Sequence, residues 1–253
     1  MSFIHVLKSE LMKYKKSLLW KGVFFIPVFS FILLFTDLHL RYDYLMGSSR
    51  LKEAAKIGIY NKLDVLLYEN HLSTLWFILL NLSIVVIAFI VNYMEYSENT
   101  WKQLVARPIK RIQIYLSKWI VVFIASVVLI ILNGVSVMLI KKLFGIEGSL
   151  SLISKYILLE IAAVFGVTSL QQFISCYMKN SLIAAAIGFA GTIGSYMFAQ
   201  SNILGNIIPF SCILRVLPLG DMKDAHTAAI FGAISGILWL TIGILEFNKR
   251  DIK

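Results

Sequence analysis

The sequence is poor in charged residues and in the residues that break or cross-link a chain. Of its 253 residues, 15% are charged, and it has only 4 prolines and 2 cysteines. By contrast, 58% of the residues are hydrophobic, and the mean hydropathy is +0.79. A soluble globular domain cannot cover that much apolar surface with polar groups, so a soluble fold is excluded. Cys176 falls at the inner end of the fourth predicted span and Cys212 in the last outer loop, so we expect them on opposite sides of the membrane, where they cannot form a disulfide.

Six apolar stretches are each long enough to cross a bilayer as a helix. About 20 residues, rising 1.5 Å each, span the roughly 30 Å of hydrocarbon in a bilayer. Backbone groups inside lipid have no water to bond, so these stretches must be helical. We therefore predict an all-α polytopic membrane protein in which residues 1–253 form a single transmembrane domain. The predicted spans lie near 18–35, 75–93, 115–140, 152–178, 182–200 and 227–246.

The distribution of lysine and arginine predicts the orientation of the chain. More than half of these residues fall on the side that carries both termini, and positive residues favour the cytoplasmic side. We therefore expect both termini to be cytoplasmic. The net charge of +10 lies beside membrane spans, where anionic lipid headgroups explain it more simply than a nucleic acid does. Membrane lipids are thus an expected partner, and nucleic acid is not.

Three segments outside the spans have recognisable patterns. In residues 1–17, Phe3, Leu7, Leu11 and Tyr14 recur at helical spacing, which predicts an amphipathic helix in the inner interface. Residues 203–219 are apolar but too short to cross the membrane, and two prolines interrupt them, so we predict an outer re-entrant hairpin. The loop 36–74 contains an apolar helical stripe, which either caps the spans or contacts a membrane-active peptide.

The first inner loop carries the richest pattern in the chain. Pro108 ends a short predicted helix over residues 97–107, and Trp101 and Leu104 share one face of that helix. An apolar face centred on tryptophan and surrounded by charge is typical of a contact that docks into a partner's groove. The alternative interpretation is that Trp101 lies at the membrane surface, as interfacial tryptophans do.

At this loop the sequence resembles the ABC-2 type transporter permeases. The resemblance rests on the order and spacing of Glu95, Glu98, Thr100, Leu104, Pro108, Arg111, Tyr115 and Lys118. The sequence departs from the family pattern at Asn99, where glycine is usual, and at Lys110, where serine is usual. The run Asn-Thr-Trp-Lys-Gln-Leu over residues 99–104 is most similar to permeases that protect bacteria from lantibiotics and related peptides.

The resemblance implies a role for the loop and a set of partners. It implies a coupling helix seated on a separate ABC ATPase, a second permease chain that is identical or homologous, and a peptide substrate expelled across a bacterial plasma membrane. No G-x-x-x-x-G-K-[ST] motif occurs, so we expect no cofactor on this chain and expect the partner ATPase to hold ATP and Mg. The implied ATPase-coupling residues are Glu95, Glu98, Thr100, Trp101, Leu104, Pro108 and Arg111.

Within the spans, a few polar and small residues are candidates for function or packing. Glu160 is the only acid well inside a predicted span, and with Gln171 it is a candidate for substrate contact. Glu160 has Lys155 nearby, so a simple pairing is the alternative. Small residues let helices approach closely, either within the chain or between two chains. Those that we expect to serve helix packing are Gly188, Gly191, Gly232 and Gly236.

Other functional classes fit the sequence less well. An intramembrane enzyme needs a nucleophile, a metal site or paired carboxylates, and none is apparent, so we predict no catalytic residue and no metal site. A proton- or ion-coupled carrier usually shows internal repeats and several buried charges, which this sequence lacks. Two alternatives remain open: a permease for another amphipathic substrate or drug, and a membrane sensor or scaffold in a peptide-resistance system.

Overall fold

The structure, a computed structural model, describes residues 2–97 and 109–250, and in these ranges it is helical with no strand. Six helices in these ranges are long and apolar enough to cross a membrane. The fold confirms the predicted all-α polytopic class. The helices are α1 (Phe3–Lys13), α2 (Leu18–Leu45), α3 (Ser48–Ala54), α4 (Lys62–Tyr68), α5 (Trp76–Ser97), α6 (Arg111–Leu143), α7 (Leu150–Tyr177), α8 (Ser181–Ala199), α9 (Leu204–Ile207), α10 (Pro209–Arg215) and α11 (Lys223–Lys249).

The first spanning helix is longer than its apolar stretch. Hydropathy places the end of the span near residue 35, whereas α2 continues to Leu45. Arg41 pairs with Asp37 one turn earlier, which supports the helix beyond the hydrocarbon layer. The helix bends at Arg41, whose φ of −122° is not helical. Hydropathy therefore marks where lipid contact ends rather than where the helix ends.

Helix α7 lies at the centre of the bundle and packs against α5, α6, α10 and α11. Its closest neighbour is α11, because Gly232 has no side chain to hold the two backbones apart. A Cβ atom at Gly232 would lie 2.6 Å from the Cα atom of Ala163 in α7. Gly236 faces Phe165 of the same helix. This pair of glycines therefore serves packing within the chain.

The fifth spanning helix, α8, uses its small residues in the same way. A Cβ atom at Gly188 would lie 2.6 Å from the side chains of Val85 and Gln171, and one at Gly191 would meet the ring of Phe210. Helix α8 therefore packs against α5, α7 and α10 through its small face. Its large apolar side chains point away from the bundle, and Ile193 and Met197 are each 74% exposed.

Residues 48–73 form a cap over one end of the bundle, which we call the cap face. The cap consists of α3, α4 and a single π-helical turn, Glu69–Ser73. Helix α4 begins with a capping box between Asn61 and Asp64. Two of its own side chains, Leu66 and Leu67, are fully buried. Its apolar stripe thus faces the spans, as the capping alternative for the loop 36–74 predicts.

The cap also contacts the segment that leads into α11. The amide of Gly220 donates to the carbonyl of Gly58 at 3.0 Å, and both residues have positive φ. A Cβ atom at Gly58 would lie 3.1 Å from Gly220 Cα, so the close approach depends on glycine. Within the predicted hairpin 203–219, the chain forms the short helices α9 and α10, and α10 packs against α8 and α11.

The contact between α7 and α11 gives a direct test of the fold. Gly232→Ala places a methyl group against the α7 backbone, so we expect it to destabilise the protein by about 1–3 kcal/mol through overpacking. Gly22→Ala is the matched control, because no heavy atom lies within 4 Å of a Cβ atom there. Thermal unfolding of both variants in mild detergent measures the difference. Equal melting temperatures for Gly232→Ala and the control would contradict the packing described here.

Candidate coupling site

Helix α1 lies against the end of the bundle opposite the cap, which we call the α1 face. The side chains that it buries are Val6 and Glu10, followed by Tyr14 just beyond the helix. These residues are four apart and therefore share one side of the helix. The sequence predicts an apolar stripe of Phe3, Leu7, Leu11 and Tyr14, so the buried face is centred slightly differently and includes an acid.

Glu10 takes part in a buried network of charges. The ammonium group of Lys118 lies 2.7 Å from Glu10 Oε1 and 3.0 Å from Glu95 Oε1. Lys13 contacts the same two carboxylates, 2.8 Å from Glu10 Oε2 and 2.7 Å from Glu95 Oε1. The hydroxyl of Tyr14 donates to Glu10 Oε1 at 2.8 Å. Two cations and two anions thus connect α1, α5 and α6, and we call these four charged residues the charge network.

Three of the four charged residues of this network are almost fully buried, so their pairing affects the stability of the fold. Lys118 has no exposed surface, and Glu10 and Glu95 are 5% and 4% exposed. Burial alone raises the pKa of Glu10, but the nearby charges of Lys118 and Lys13 outweigh it and lower that pKa below its ordinary value. The pairing of Glu10 therefore stabilises the folded chain at neutral pH, and that stabilisation is lost as acid protonates the carboxylate. Lys118 also donates to the carbonyl of Val91 at 3.1 Å.

A second set of contacts lies on the same face, beside the start of α6. The guanidinium of Arg111 donates to the carbonyl of Arg250 at 2.6 Å. Arg250 donates in turn to the carbonyls of Cys176 and Tyr177 at the end of α7, at 2.6 and 2.7 Å. The hydroxyl of Tyr96 also donates to the Cys176 carbonyl, at 2.6 Å. Arginine near the last carbonyls of a helix satisfies acceptors that have no partner within the helix.

The two sets of contacts hold both flanks of residues 98–108. Glu95 and Tyr96 lie on the N-terminal flank, and Arg111 lies on the C-terminal flank. The predicted helix over 97–107 falls almost entirely outside the described residues. So do five of the predicted coupling residues, Glu98, Thr100, Trp101, Leu104 and Pro108. Of the predicted set, the structure therefore places Glu95 in the charge network and Arg111 against the C-terminal segment.

Glu160 lies in a different buried cluster, near the cap face. Its Oε1 accepts from the indole of Trp76 at 2.9 Å and lies 3.5 Å from Nδ1 of His71. That ring nitrogen is 2.8 Å from the hydroxyl of Tyr156, and Nε2 lies 3.2 Å from the carbonyl of Leu214. A carbonyl only accepts, so Nε2 carries a proton in this geometry. Among the described residues, Glu160 Oε2 has no hydrogen-bond partner.

This cluster ties the cap to the spans. Asn70 of the cap donates to Asn133 of α6 at 3.0 Å, and Asn133 donates to Ser30 of α2 at 3.3 Å. Lys155, which the sequence offers as a partner of Glu160, is exposed, and no ion pair joins these two described residues. The surroundings of Glu160 thus give it a place in the architecture, with no exposed surface for a substrate.

Gln171 is buried where α7 meets α8. Its amide donates to the carbonyl of Ala184 at 3.1 Å. Its Oε1 has no hydrogen-bond partner among the described residues and is the atom that a Cβ at Gly188 would meet. The next residue, Gln172, exchanges two amide hydrogen bonds with Asn92, at 3.0 and 3.3 Å. These polar side chains thus bond to carbonyls and to other side chains of the same chain.

The comparison with known proteins assigns the family. The family model described as ABC-2 family transporter protein matches residues 6–195, which is well over half of the chain. The chain belongs to the ABC-2 transporter family. It is thus a permease, a membrane component of an ABC transporter, and membership implies an ABC ATPase as partner. The permease is also similar to YdbK, an uncharacterized membrane protein of Bacillus subtilis (strain 168), with 26% identity over 209 residues that cover 74% of this chain and 82% of that protein.

Sequence reasoning missed several residues that organise the permease. Glu10 carried a usable signal, because it is the one acid on an otherwise basic N-terminal helix and lies one turn from Tyr14 on the same side. Lys118 is part of the run from Glu95 to Lys118 that resembles the family, but its position in that run does not reveal that two carboxylates bind it. His71 gave no signal at all, because its partners Tyr156 and Glu160 meet it only through the fold.

Removing the buried ammonium group tests the charge network. Lys118→Met leaves Glu10 and Glu95 facing each other with one cation fewer, so we expect a loss of about 3–5 kcal/mol in stability. Lys13→Met removes the other cation, whose side chain is 29% exposed. Because water screens that site, we expect a loss of about 1 kcal/mol or less. The melting temperatures of the purified variants in detergent provide the comparison.

A compensating change sharpens this test. Glu10→Gln in the Lys118→Met background restores the balance of one cation and one anion, so it should recover part of the lost stability. Similar melting temperatures for Lys118→Met and Lys13→Met, or no recovery in the double variant, would show that the network does not stabilise the α1 face.

Glu160 provides a test at the cap face. Glu160→Gln keeps an acceptor for the Trp76 indole, so we expect nearly normal stability and unchanged function. Glu160→Leu leaves the indole without its acceptor, and we expect a loss of about 1–3 kcal/mol. Thermal unfolding and a transport assay on both variants distinguish the roles. A stable Glu160→Gln permease that has lost function would overturn the architectural role and indicate direct participation of the carboxylate.

Proposed function

We propose that this permease is the membrane subunit of an ATP-driven exporter in a bacterial plasma membrane, with both termini cytoplasmic, and that it expels a membrane-active antimicrobial peptide of the lantibiotic type. The coupling role is supported by one observation: contacts within the chain hold it in place on both sides of residues 98–108. On one side the charge network binds Glu95, and on the other Arg111 is bound to the C-terminal segment. A contact made by the intervening loop can therefore reach α1, α5, α6, α7 and α11 together.

The positions of the polar groups in the described spans support the proposed substrate class. Asn133, Asn92, Gln172 and Glu160 are fully buried, and each bonds to another group of the same chain. Polar side chains engaged in this way do not line a passage for a strongly hydrophilic solute. A peptide that already partitions into the membrane needs no such passage, because its apolar face is solvated by lipid. This supports an amphipathic substrate.

The proposed partners complete the assembly. The loop between the two fixed flanks would seat Glu98, Thr100, Trp101, Leu104 and Pro108 on a separate ATPase that holds ATP and Mg. A second permease chain, identical or homologous, would complete the transmembrane unit. This proposal extends the resemblance of residues 95–118 to peptide-immunity permeases.

Removing Trp101 tests the coupling proposal. A tagged chain purified from its native host in mild detergent should bring with it a protein that carries the P-loop motif, identified by mass spectrometry. Trp101→Ala should sharply reduce recovery of that protein, because it removes the largest apolar side chain of the loop, while membrane insertion stays normal. Trp20→Ala is the matched control, since Trp20 lies in the first turn of α2, outside the coupling loop.

The results distinguish the two interpretations of Trp101. Equal recovery of the ATPase with Trp101→Ala and with the wild type would contradict a docking role and favour a residue that only lies at the membrane surface. The substrate is tested separately, by comparing the sensitivity of cells with and without the intact transporter to a panel of cationic membrane-active peptides. Unchanged sensitivity to every peptide, despite a bound ATPase, would overturn the peptide assignment and leave the exporter assignment intact.

A further inference from the structure

An apolar cleft of about 330 Å³ lies between α2 and α5, on the membrane side of the bundle. Its lining is hydrocarbon except for Ser83, and the hydroxyl of Ser83 already donates to the carbonyl of Leu79. Water in such a cleft would lack hydrogen-bond partners, so the cleft suits an apolar occupant. The lining residues are Leu18, Leu19, Gly22, Val23, Phe25, Ile26, Leu79, Leu82, Ser83, Val86, Ile87, Ile90 and Leu129.

The cleft is open because a glycine leaves this part of α2 without a side chain. Gly22 lies within the lining, and a Cβ atom there would have no heavy atom within 4 Å. Leu18 and Phe25, at the edge of the cleft, are 71% and 67% exposed. The cleft is therefore open on the outer side of the bundle and can be entered from the side.

Three lysines lie along the chain beside the end of the cleft that is at the α1 face. Lys15 and Lys16 immediately precede α2, and Lys21 shares a helix edge with Leu18 and Phe25. All three lysines are exposed, and no carboxylate within residues 2–97 or 109–250 lies within ion-pair distance of them. The nearby acids of this face, Glu10 and Glu95, are already bound by Lys13 and Lys118. The mouth of the cleft thus carries positive charge.

We propose that this cleft binds an anionic phospholipid, with an acyl chain between α2 and α5 and the headgroup phosphate held by Lys15, Lys16 and Lys21. An apolar cleft with positive charge at its headgroup end matches the two halves of such a lipid. A second copy of the chain fits this surface poorly. A twofold axis along the membrane normal that passed through this surface would bring the same lysines of both copies together, and their positive charges would repel each other.

Photo-crosslinking in vesicles tests the proposal with the full chain. The vesicles contain equal amounts of phosphatidylglycerol and phosphatidylcholine, with a trace of either lipid carrying a photoactivatable group on its acyl chain. Mass spectrometry of the digested protein locates the adducts. We expect adducts on residues 18–26 and 79–90, with stronger labelling by phosphatidylglycerol than by phosphatidylcholine.

Two sets of variants separate the acyl chain from the headgroup. Gly22→Phe fills the cleft with an aromatic ring and should abolish labelling there by both lipids, whereas Gly22→Ala adds one carbon atom and should leave most of it. Replacing Lys15, Lys16 and Lys21 with glutamine should reduce the preference for phosphatidylglycerol by about fivefold for each lysine, while labelling by phosphatidylcholine stays the same. Thermal unfolding confirms that each variant is folded.

Three outcomes would overturn the proposal. Equal labelling by the two lipids, unaffected by the lysine changes, would remove the headgroup site. Labelling that persists in folded Gly22→Phe would show that the adducts arise outside the cleft. Loss of labelling when an antimicrobial peptide is added, or when a disulfide forms between two chains carrying Phe25→Cys, would assign the cleft to the peptide or to a second copy. None of these outcomes depends on the proposed transport function.

Discussion

The buried ammonium group of Lys118 holds the α1 face of this permease together. Glu10 and Glu95 come from different helices and are both nearly inaccessible to water, so without a cation between them they would repel each other strongly at close range. Lys118 reaches both carboxylates and the carbonyl of Val91. Its presence allows α1 to lie on the bundle and fixes the end of α5 from which residues 98–108 depart.

The two ends of the bundle satisfy the same constraint by different means. A membrane protein must pair its buried polar groups internally, because lipid cannot. At the α1 face the pairing uses full charges, together with arginines that bind the last carbonyls of α7 and α11. Near the cap face it uses mainly amides, an indole, a phenol and an imidazole around the carboxyl group of Glu160. The charged end is the one that an ATPase would contact in the proposed exporter.

The features that could be predicted from the sequence are those whose cause lies within one short segment of the chain. Hydropathy located six helices, and small residues such as Gly232 marked close packing, because both signals lie within single segments. The partners of Glu160 were not predictable in this way, since Trp76 and His71 precede it by more than 80 residues and meet it only in the fold. The same applies to Lys118 and Glu10, which are 108 residues apart. The extension of α2 to Leu45 was missed because a helix can outlast its apolar stretch.

We expect the charge network to join α1 to the N-terminal flank of residues 98–108 as one rigid unit. Spin labels at Met12→Cys in α1 and Tyr93→Cys in α5 measure the distance between them, since both positions are exposed. The native Cys176 and Cys212 would first be replaced. In the complex with its ATPase in vesicles, we predict the same narrow distance distribution without nucleotide and with ATP trapped. A nucleotide-dependent shift or broadening would show that α1 moves independently of α5 and would contradict the claim.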